Sequence, residues 1–122
     1  MDKKTTIEEL KLLTNKFMDD RDWGRFHNPK DLAITISTES AELLEIFRFK
    51  SEEEIKELFV SEKKIEIEDE LADIVLNVCR FASMNDIDIS TALKRKIVKS
   101  ELKYPIETCK GKNKKYTEYK NN

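Results

Sequence analysis

The sequence has very little of the residues that form tight turns or cross-links. Only two glycines and two prolines occur among its 122 residues, so few positions suit β-hairpins, and the abundant Leu, Ile, Glu and Lys favour helices. The two cysteines, Cys79 and Cys109, share no short spacing, which indicates neither a disulfide framework nor a zinc site. No apolar run approaches the roughly 20 residues that a membrane-spanning helix needs. These absences predict an all-α protein.

An excess of charge of one sign is also missing. The chain has 23 basic and 25 acidic side chains, and charged residues make up 39% of it. A nearly balanced charge gives no overall field that would attract nucleic acid or an anionic membrane. The first residues, "MDKKTTIEEL", lack the apolar stretch of a secretory signal. We therefore expect a cytoplasmic protein with reduced cysteines and no nucleic-acid or membrane partner.

The length and the spacing of apolar residues predict one helical domain over residues 1–122. Its helical core covers about residues 6–104, and a basic tail covers 105–122. Thr6 with Glu9 forms a capping-box pattern at the first helix start, and Pro29 disfavours helix just before the second. The four long helices of the expected antiparallel bundle run over about residues 6–23, 30–49, 61–83 and 90–103, with a weaker short helix in "SEEEIKELFV".

Apolar residues recur three and four positions apart in each long helix, which marks the positions expected in the core. They are Leu10, Leu13, Phe17, Met18, Leu32, Ile36, Leu43, Ile46, Phe47, Ile67, Leu71, Ile74, Val75, Val78, Phe81, Ile89, Ala92, Leu93 and Ile97. The three later long helices have apolar residues on more than one face. A small bundle of this kind is expected to be an obligate oligomer.

Acidic pairs interrupt two of these apolar helices. In "STESAELLEIF", Glu39 and Glu42 lie three residues apart, and Glu70 and Asp73 repeat the spacing in "EDELADIVLNV". If the two helices are antiparallel neighbours, each pair faces the other across the interface. Four carboxylates crowded in a partly dehydrated cleft repel one another unless a cation neutralises them. The arrangement predicts a metal site, and the alternative is solvated surface charge on a non-catalytic helical interaction module.

The ligand type limits which metal this site would hold. Carboxylate oxygens without nitrogen or sulfur suit Mg²⁺, with Mn²⁺ as a substitute. The carboxylate-bridged iron bundles place a histidine three residues after a glutamate on two helices, whereas the only histidine here, His27, lies in a predicted loop. Mg²⁺ held by few carboxylates keeps positions open for water and phosphate oxygens, which favours phosphoryl chemistry on a nucleotide or similar anion.

Five blocks of sequence resemble a known family. In order they are "RDWGRFHNPKDL", "STESAELLEIFRFK", "EDELADIVLNV", "KSELKYP" and "KYTEY". Together they are similar to the MazG-like nucleotide pyrophosphohydrolases, and most closely to their dCTP pyrophosphatase branch, over about residues 7–119. The resemblance implies an all-α bundle that assembles as a dimer or a dimer of dimers. It also implies Mg²⁺-dependent hydrolysis of a nucleoside triphosphate between the α and β phosphates.

The resemblance assigns roles to the acidic residues one by one. Glu39, Glu42, Glu70 and Asp73 match the metal-binding carboxylates of the family. One of these four, or Glu45 one turn beyond Glu42, is implied to orient or deprotonate the attacking water. The four matched residues are therefore the expected metal ligands and catalytic residues.

The resemblance also implies a substrate site. Trp23 and Phe49 match the aromatic positions that flank the base, with Phe49 in place of a Trp, and His27 lies in the matched loop. Among Lys96, Lys99, Lys103 and Lys115, which are expected to reach triphosphate oxygens across a subunit boundary, Lys96 and Lys115 lie in the best-matched blocks. The implied substrate-binding set is Trp23, His27, Phe49, Asn77, Lys96 and Lys115.

Three positions depart from the dCTP pyrophosphatase pattern. Thr14 stands where that branch has a His near the base, Asn77 where it has a Tyr near the sugar, and Ser100 where it has an Asn before "YP". Two of these changes fall at the end of the site that recognises base and sugar. The aromatic matches still predict a pyrimidine deoxynucleotide such as dCTP as the preferred substrate.

Overall fold

The structure is a computed structural model that describes residues 1–119; the last three residues of the predicted tail lie outside this range. Residues 1–119 contain helices and no strand, which confirms the predicted all-α class. The helices are α1 (Ile7–Asp19), α2 (Pro29–Phe47), α3 (Glu52–Val60), α4 (Lys64–Met84), α5 (Ile89–Lys103) and α6 (Ile106–Cys109), with 3₁₀ turns at Gly24–Phe26 and Tyr116–Tyr119. No helix in these residues is long and apolar enough to cross a membrane.

The helix starts follow from side chains that cap exposed backbone N–H groups. The Thr6 hydroxyl accepts from the Glu9 N–H at 3.1 Å, and the Glu9 carboxylate accepts from the Thr6 N–H at 2.6 Å, so the predicted capping box is confirmed. The Asn28 side-chain oxygen accepts from the Asp31 N–H at 2.8 Å. With Asn28 as N-cap, Pro29 takes the first helical position, where its missing N–H costs nothing.

The first two helices end earlier than predicted because a residue after each takes a left-handed backbone conformation. Asp22 has φ 53° and Phe49 has φ 62°. After α1, the Trp23 N–H donates to the Met18 carbonyl at 3.2 Å and the Asp22 N–H donates to the Asp19 carbonyl at 3.0 Å. This hydrogen-bond pair closes the helix end in place of further turns. Trp23 and Phe49, expected inside or at the ends of helices, therefore lie on the chain segments that follow them.

The chain divides into two compact units, Met1–Ile87 and Asp88–Asn122. In the first unit α4 is the central helix: it packs most extensively on α2, then on α1, and also contacts α3. In the second unit, the Tyr104 ring makes edge-to-face contacts with Tyr116 and Tyr119, at centroid distances of 6.3 and 6.4 Å. The single domain expected over residues 1–122 stays a prediction.

The buried core is smaller than the sequence predicted. The buried apolar side chains are Met18, Leu32, Leu58, Ile67, Cys79 and Ala82. Several expected core residues are instead exposed, among them Leu13 at 69% and Leu71 at 52%. Helical periodicity identifies an apolar face but not what covers it. Within residues 1–119 these faces of α1 and α4 are left in contact with solvent.

Candidate metal centre and adjoining cavity

The central pair of helices, α2 and α4, runs antiparallel. Near the start of α2, Leu32 lines the same cavity as Asn77, which lies in the second half of α4. Further along α2, Glu39 approaches Glu70 in the first half of α4. The direction of contact is thus reversed between the two helices, so the acidic pairs face each other as predicted.

The facing pairs form a compact carboxylate cluster of Glu39, Glu42, Glu70 and Asp73. One oxygen each from Glu39, Glu70 and Asp73 lies within 4.8 Å of the others. Glu42 lies close enough to Glu39 and Glu70 to raise the pKa of both carboxyls. None of the ion pairs described within residues 1–119 involves these four residues. The cluster therefore concentrates negative charge without a protein cation beside it.

Burial and mutual repulsion make this charge unfavourable. The hydrogen bond with Glu42, then burial, then the charges of Glu42, Asp73 and Glu70 raise the pKa of Glu39 to about 7. Burial raises the pKa of Glu70, and the side-chain interaction of Glu70 with Glu42 raises it further. Glu39 and Glu70 each have a buried Oε2 atom with no hydrogen-bond partner. Such oxygens are costly unless a proton or a cation meets them, and an all-oxygen set fits a hard divalent cation.

A cavity of about 410 Å³ adjoins the cluster. Its lining consists of Met18, Trp23, Phe26, His27, Asp31, Leu32, Thr35 and Asn77. Thr35 precedes Glu39 by four residues on α2, and Asn77 follows Asp73 by four residues on α4. Four residues are about one turn, or roughly 6 Å along a helix. The side-chain N–H of Asn77 also donates to the Asp73 carbonyl at 2.8 Å, so cavity and cluster are consecutive parts of one cleft.

Trp23 supplies the largest aromatic surface of this cavity. Its ring packs edge-to-face against Phe17, with centroids 5.6 Å apart, and 41% of the residue stays exposed. The partly exposed ring can contact a further aromatic group. Trp23 therefore has a place in the adjoining cavity that agrees with its expected contact to a base.

His27 lines the same cavity and accepts a hydrogen bond from Arg80, which is not among the predicted site residues. The Arg80 Nε–H donates to His27 Nδ1 at 2.9 Å, and its two terminal nitrogens donate to Asn15 and Asp19, each at 2.8 Å. Arg80 is only 2% exposed. The signal in the sequence was a lone arginine inside the apolar stretch "IVLNVCRFA", where a charged residue needs a specific set of partners.

Other predicted substrate residues lie elsewhere. Phe49 follows the opposite end of α2 from the cavity and is 90% exposed, so one chain does not bring it to Trp23. Lys96 and Lys115 belong to the second unit and are both exposed. Glu45 pairs with Arg48 at 3.3 Å. The structure thus joins the four carboxylates with Trp23, His27 and Asn77 within the first unit, where Phe49 lies apart from them.

Two of the three residues that depart from the family pattern are buried in the first unit. Thr14 is buried and lines an apolar cavity between α1 and α4 together with Val75 and Cys79. Asn77 is buried in the cleft between the carboxylates and Trp23. Ser100 lies on α5 in the second unit.

Comparison with known proteins identifies the family. The MazG-like family profile matches residues 34–119, which include all four carboxylates of the cluster. The chain belongs to the MazG-like family. Among curated proteins, this MazG-like chain is 28% identical over 114 residues to dCTP pyrophosphatase 1 of Rattus norvegicus, a match that covers 93% of the chain and 67% of that protein. For dCTP pyrophosphatase 1 of Bos taurus the identity is 29%, with 93% and 68% covered.

A solved structure is also similar to this chain. The crystal structure of a pyrophosphatase from Archaeoglobus fulgidus superposes with a TM-score of 0.75 at 41% identity, and the match covers 81% of this MazG-like chain and 92% of that one. The predicted family is confirmed. The predicted enzyme class, a nucleotide pyrophosphohydrolase, is confirmed with it.

Proposed function

We propose that this MazG-like chain hydrolyses a nucleoside triphosphate between the α and β phosphates, releasing the monophosphate and pyrophosphate. The single observation that carries the proposal is the order of groups along the cleft between α2 and α4. A carboxylate cluster lies about one helical turn from an aromatic cavity on both helices. A nucleotide has the same order, with an anionic chain that binds metal ions at one end and a flat base at the other.

Glu39, Glu42, Glu70 and Asp73 are the proposed ligands of Mg²⁺, for which Mn²⁺ is a chemically reasonable substitute. Oxygens of Glu39, Glu70 and Asp73 lie close enough to share a cation, and Glu39 and Glu70 each have an unmet buried oxygen. When bound, Mg²⁺ neutralises charge on phosphate oxygens and lowers the pKa of a coordinated water. Carboxylate oxygens of the cluster that do not contact the cation would accept the hydrogen bonds of the attacking water and take its proton. Crowded carboxylates with raised pKa values suit this exchange of proton for cation.

The aromatic cavity is the proposed site of the nucleobase. A ring that packs on Trp23 gains roughly 1–3 kcal/mol without reading any particular edge of the base, and His27 and Asn77 supply polar groups beside it. Phe49 is exposed and lies at the far end of α2. We therefore propose that Phe49, Lys96 and Lys115 reach the nucleotide of a second subunit.

This arrangement requires a homo-oligomer, which the exposed apolar residues support. Leu10, Leu13, Phe17, Leu71 and Val75 are each more than a third exposed, and Leu10, Leu13 and Val75 line one apolar cavity. Association would remove this surface from water. Sedimentation at micromolar concentration tests the proposal: a dimer or tetramer supports it, and a species of one chain alone contradicts it.

The proposed substrate is a pyrimidine deoxynucleotide. The aligned mammalian relatives are named for dCTP, whereas Thr14 and Asn77 alter the expected base and sugar contacts. The measurement is kcat/KM for dCTP, dUTP, dTTP, dATP and dGTP with Mg²⁺. Purine nucleotides hydrolysed as efficiently as dCTP and dUTP would contradict the substrate while leaving the reaction intact.

The reaction itself is tested by pyrophosphate release with matched variants on α4. Glu70→Gln should lose at least about 99% of the activity, since metal contacts contribute several kcal/mol to such reactions. Glu68→Gln is the control, because Glu68 is an exposed residue of α4 that pairs with Lys64 at 3.4 Å. Equal activity in the two variants would remove Glu70 from the site. No pyrophosphate release by the parent protein with any nucleotide and either metal would favour the alternative, a non-catalytic helical module.

A further inference from the structure

The buried guanidinium of Arg80 donates to one ring nitrogen of His27, a residue that lines the cavity. We propose that Arg80 is a positioning residue: it holds His27 as a neutral ring whose Nε2–H is a fixed donor in the nucleobase cavity. This inference rests on the proposed nucleotide site. It assigns a specificity role to a residue that touches neither substrate nor metal, and it names the feature selected, a hydrogen-bond acceptor on the edge of the base.

The chemistry of the two side chains determines the tautomer. A guanidinium has only donors, so His27 Nδ1, which lies 2.9 Å from Arg80 Nε, must accept through its lone pair. The ring proton of neutral His27 is therefore on Nε2, the nitrogen on the other side of the ring. Burial and then the positive charge of Arg80 lower the pKa of His27, which keeps the ring neutral near pH 7.

Arg80 can act in this way because its own orientation is fully determined. Its three kinds of nitrogen donate to three different residues, with Asn15 and Asp19 of α1 holding the two terminal ones. Gly24 completes the enclosure, since a Cβ at that position would lie 3.3 Å from an Arg80 terminal nitrogen. A planar fork held at three points transmits its orientation to the imidazole, which a flexible ammonium group would not do.

Two other polar side chains that line the cavity, Asn77 and Thr35, donate hydrogen bonds to backbone carbonyls of their own helices. The Asn77 side-chain N–H donates to the Asp73 carbonyl, and the Thr35 hydroxyl donates to the Asp31 carbonyl at 3.0 Å. Their oxygens are left as acceptors. The cavity thus has acceptor oxygens at Asn77 and Thr35, and donors at His27 and at the second side-chain N–H of Asn77. A base edge that carries both a carbonyl oxygen and an N–H group matches this pattern, as cytosine and uracil do.

The first test is an NMR measurement on the intact protein, which has one histidine. The ¹⁵N shifts of that ring report its tautomer and its pKa without assignment ambiguity. We expect the Nε2–H form in the parent protein and a mixture of tautomers in Arg80→Met, where the pKa should rise towards the ordinary value of about 6.5. A proton on Nδ1 in the parent would overturn the proposal. The measurement on the parent protein does not depend on whether any variant folds or on any activity.

The second test is a double-mutant cycle with Mg²⁺ and dCTP or dUTP. Loss of one aligned hydrogen bond should raise KM about tenfold in Arg80→Met and in His27→Ala, with a smaller change in kcat. Arg80→Met should add nothing further when His27 is already alanine. The inhibition constant of inorganic tripolyphosphate, which has no base, should stay within about twofold of the parent value.

The outcomes separate this inference from the proposed function. An unchanged KM in Arg80→Met, or an additive effect in the double variant, would overturn the positioning role even if the parent hydrolyses dCTP. A parent protein that shows the Nε2–H ring but releases no pyrophosphate would overturn the proposed function instead. Arg80→Lys provides a second variant with the charge retained. The three donors of an ammonium group lie on one atom and do not reproduce the planar fork of the guanidinium, so the KM should also rise, and full retention of the parent KM would count against the proposal.

Discussion

Two places on α4 bring charge into the protein interior, and they differ in how that charge is met. Arg80 is almost fully buried, yet its donors reach His27, Asn15 and Asp19. Three turns earlier, Glu70 and its neighbour Glu39 each have a buried oxygen without any partner. In one region every nitrogen of the buried guanidinium has a hydrogen-bond partner, and in the other the like charges take part in none of the ion pairs described within residues 1–119.

Burial of a charged side chain therefore does not by itself indicate a ligand site. A buried charge whose hydrogen bonds are all made serves to orient its neighbours. A buried charge with unmet bonding capacity needs something that the chain does not supply. The two regions should therefore respond in opposite ways when a carboxylate in each is converted to its amide.

The largest expected effect is on catalysis after Glu42→Gln. Pyrophosphate release should fall by at least about 100-fold, because the cluster loses a metal contact or the orientation of one. Without Mg²⁺, the variant should be as stable as the parent or more stable, since like charges repel less. Thermal melts in EDTA and in millimolar Mg²⁺ measure this, and the Mg²⁺-dependent rise in Tm should shrink.

The outcome for Glu42→Gln distinguishes a metal site from solvated surface charge. Full activity together with an unchanged Mg²⁺-dependent shift in Tm would remove Glu42 from the site. Glu68→Gln is again the matched control, because it removes a carboxylate from the exposed side of α4.

Converting a carboxylate that contacts Arg80 to its amide should lower the stability of the protein instead of raising it. Asp19→Asn keeps an acceptor for Arg80 but removes the negative charge that lies 2.8 Å from its guanidinium. Because the Asp19 side chain is itself largely exposed, the loss of stability should be only about 1 kcal/mol. Asp20→Asn is the control, since Asp20 forms an exposed pair with Lys16. Urea unfolding in EDTA measures the stability of both variants. Equal stabilities would show that the charge of Asp19 does not stabilise the buried Arg80.

A third expected effect is a pH dependence of stability that arises from the carboxylate cluster. The pKa of Glu39 is raised from 4.5 to about 7, so between these values the folded state binds more protons than the unfolded state. Stability from this group is present at low pH and is lost as pH rises through about 7. In EDTA, Glu39→Gln should therefore gain stability relative to the parent between pH 5 and 8. A constant difference across that range would show that Glu39 titrates normally.

The smallest expected effect is that of Gly24→Ala. A Cβ placed 3.3 Å from the Arg80 terminal nitrogen forces a small shift in a side chain held at three points. We expect a loss of stability below about 1 kcal/mol and a change in the ¹⁵N shifts of His27. In the Arg80→Met background the same substitution should leave the stability nearly unchanged. An equal loss in both backgrounds would show that Gly24 acts independently of Arg80.

The sequence alone determined the helical class, most helix boundaries and the identity of the acidic residues that converge. Capping side chains such as Thr6 and Asn28 act on N–H groups two or three residues away, so their effect is readable locally. The pairs at Glu39 and Glu70 were readable because two apolar helices of similar length pack as neighbours, and residues in the middle of each then meet. The early ends of α1 and α2 were missed, since a non-glycine residue with positive φ leaves no reliable trace in the sequence.

Only the tertiary structure decided which of these residues share a site. Contacts between residues far apart in the chain depend on the packing of whole helices, so Arg80 could not be paired with His27, Asn15 and Asp19 from periodicity. For the same reason Leu13 and Leu71 were expected in the core but are exposed, because an apolar stripe does not say whether its own chain or a second one covers it. Periodicity is a property of one helix, whereas burial and the pairing of charges are properties of the helices that surround it.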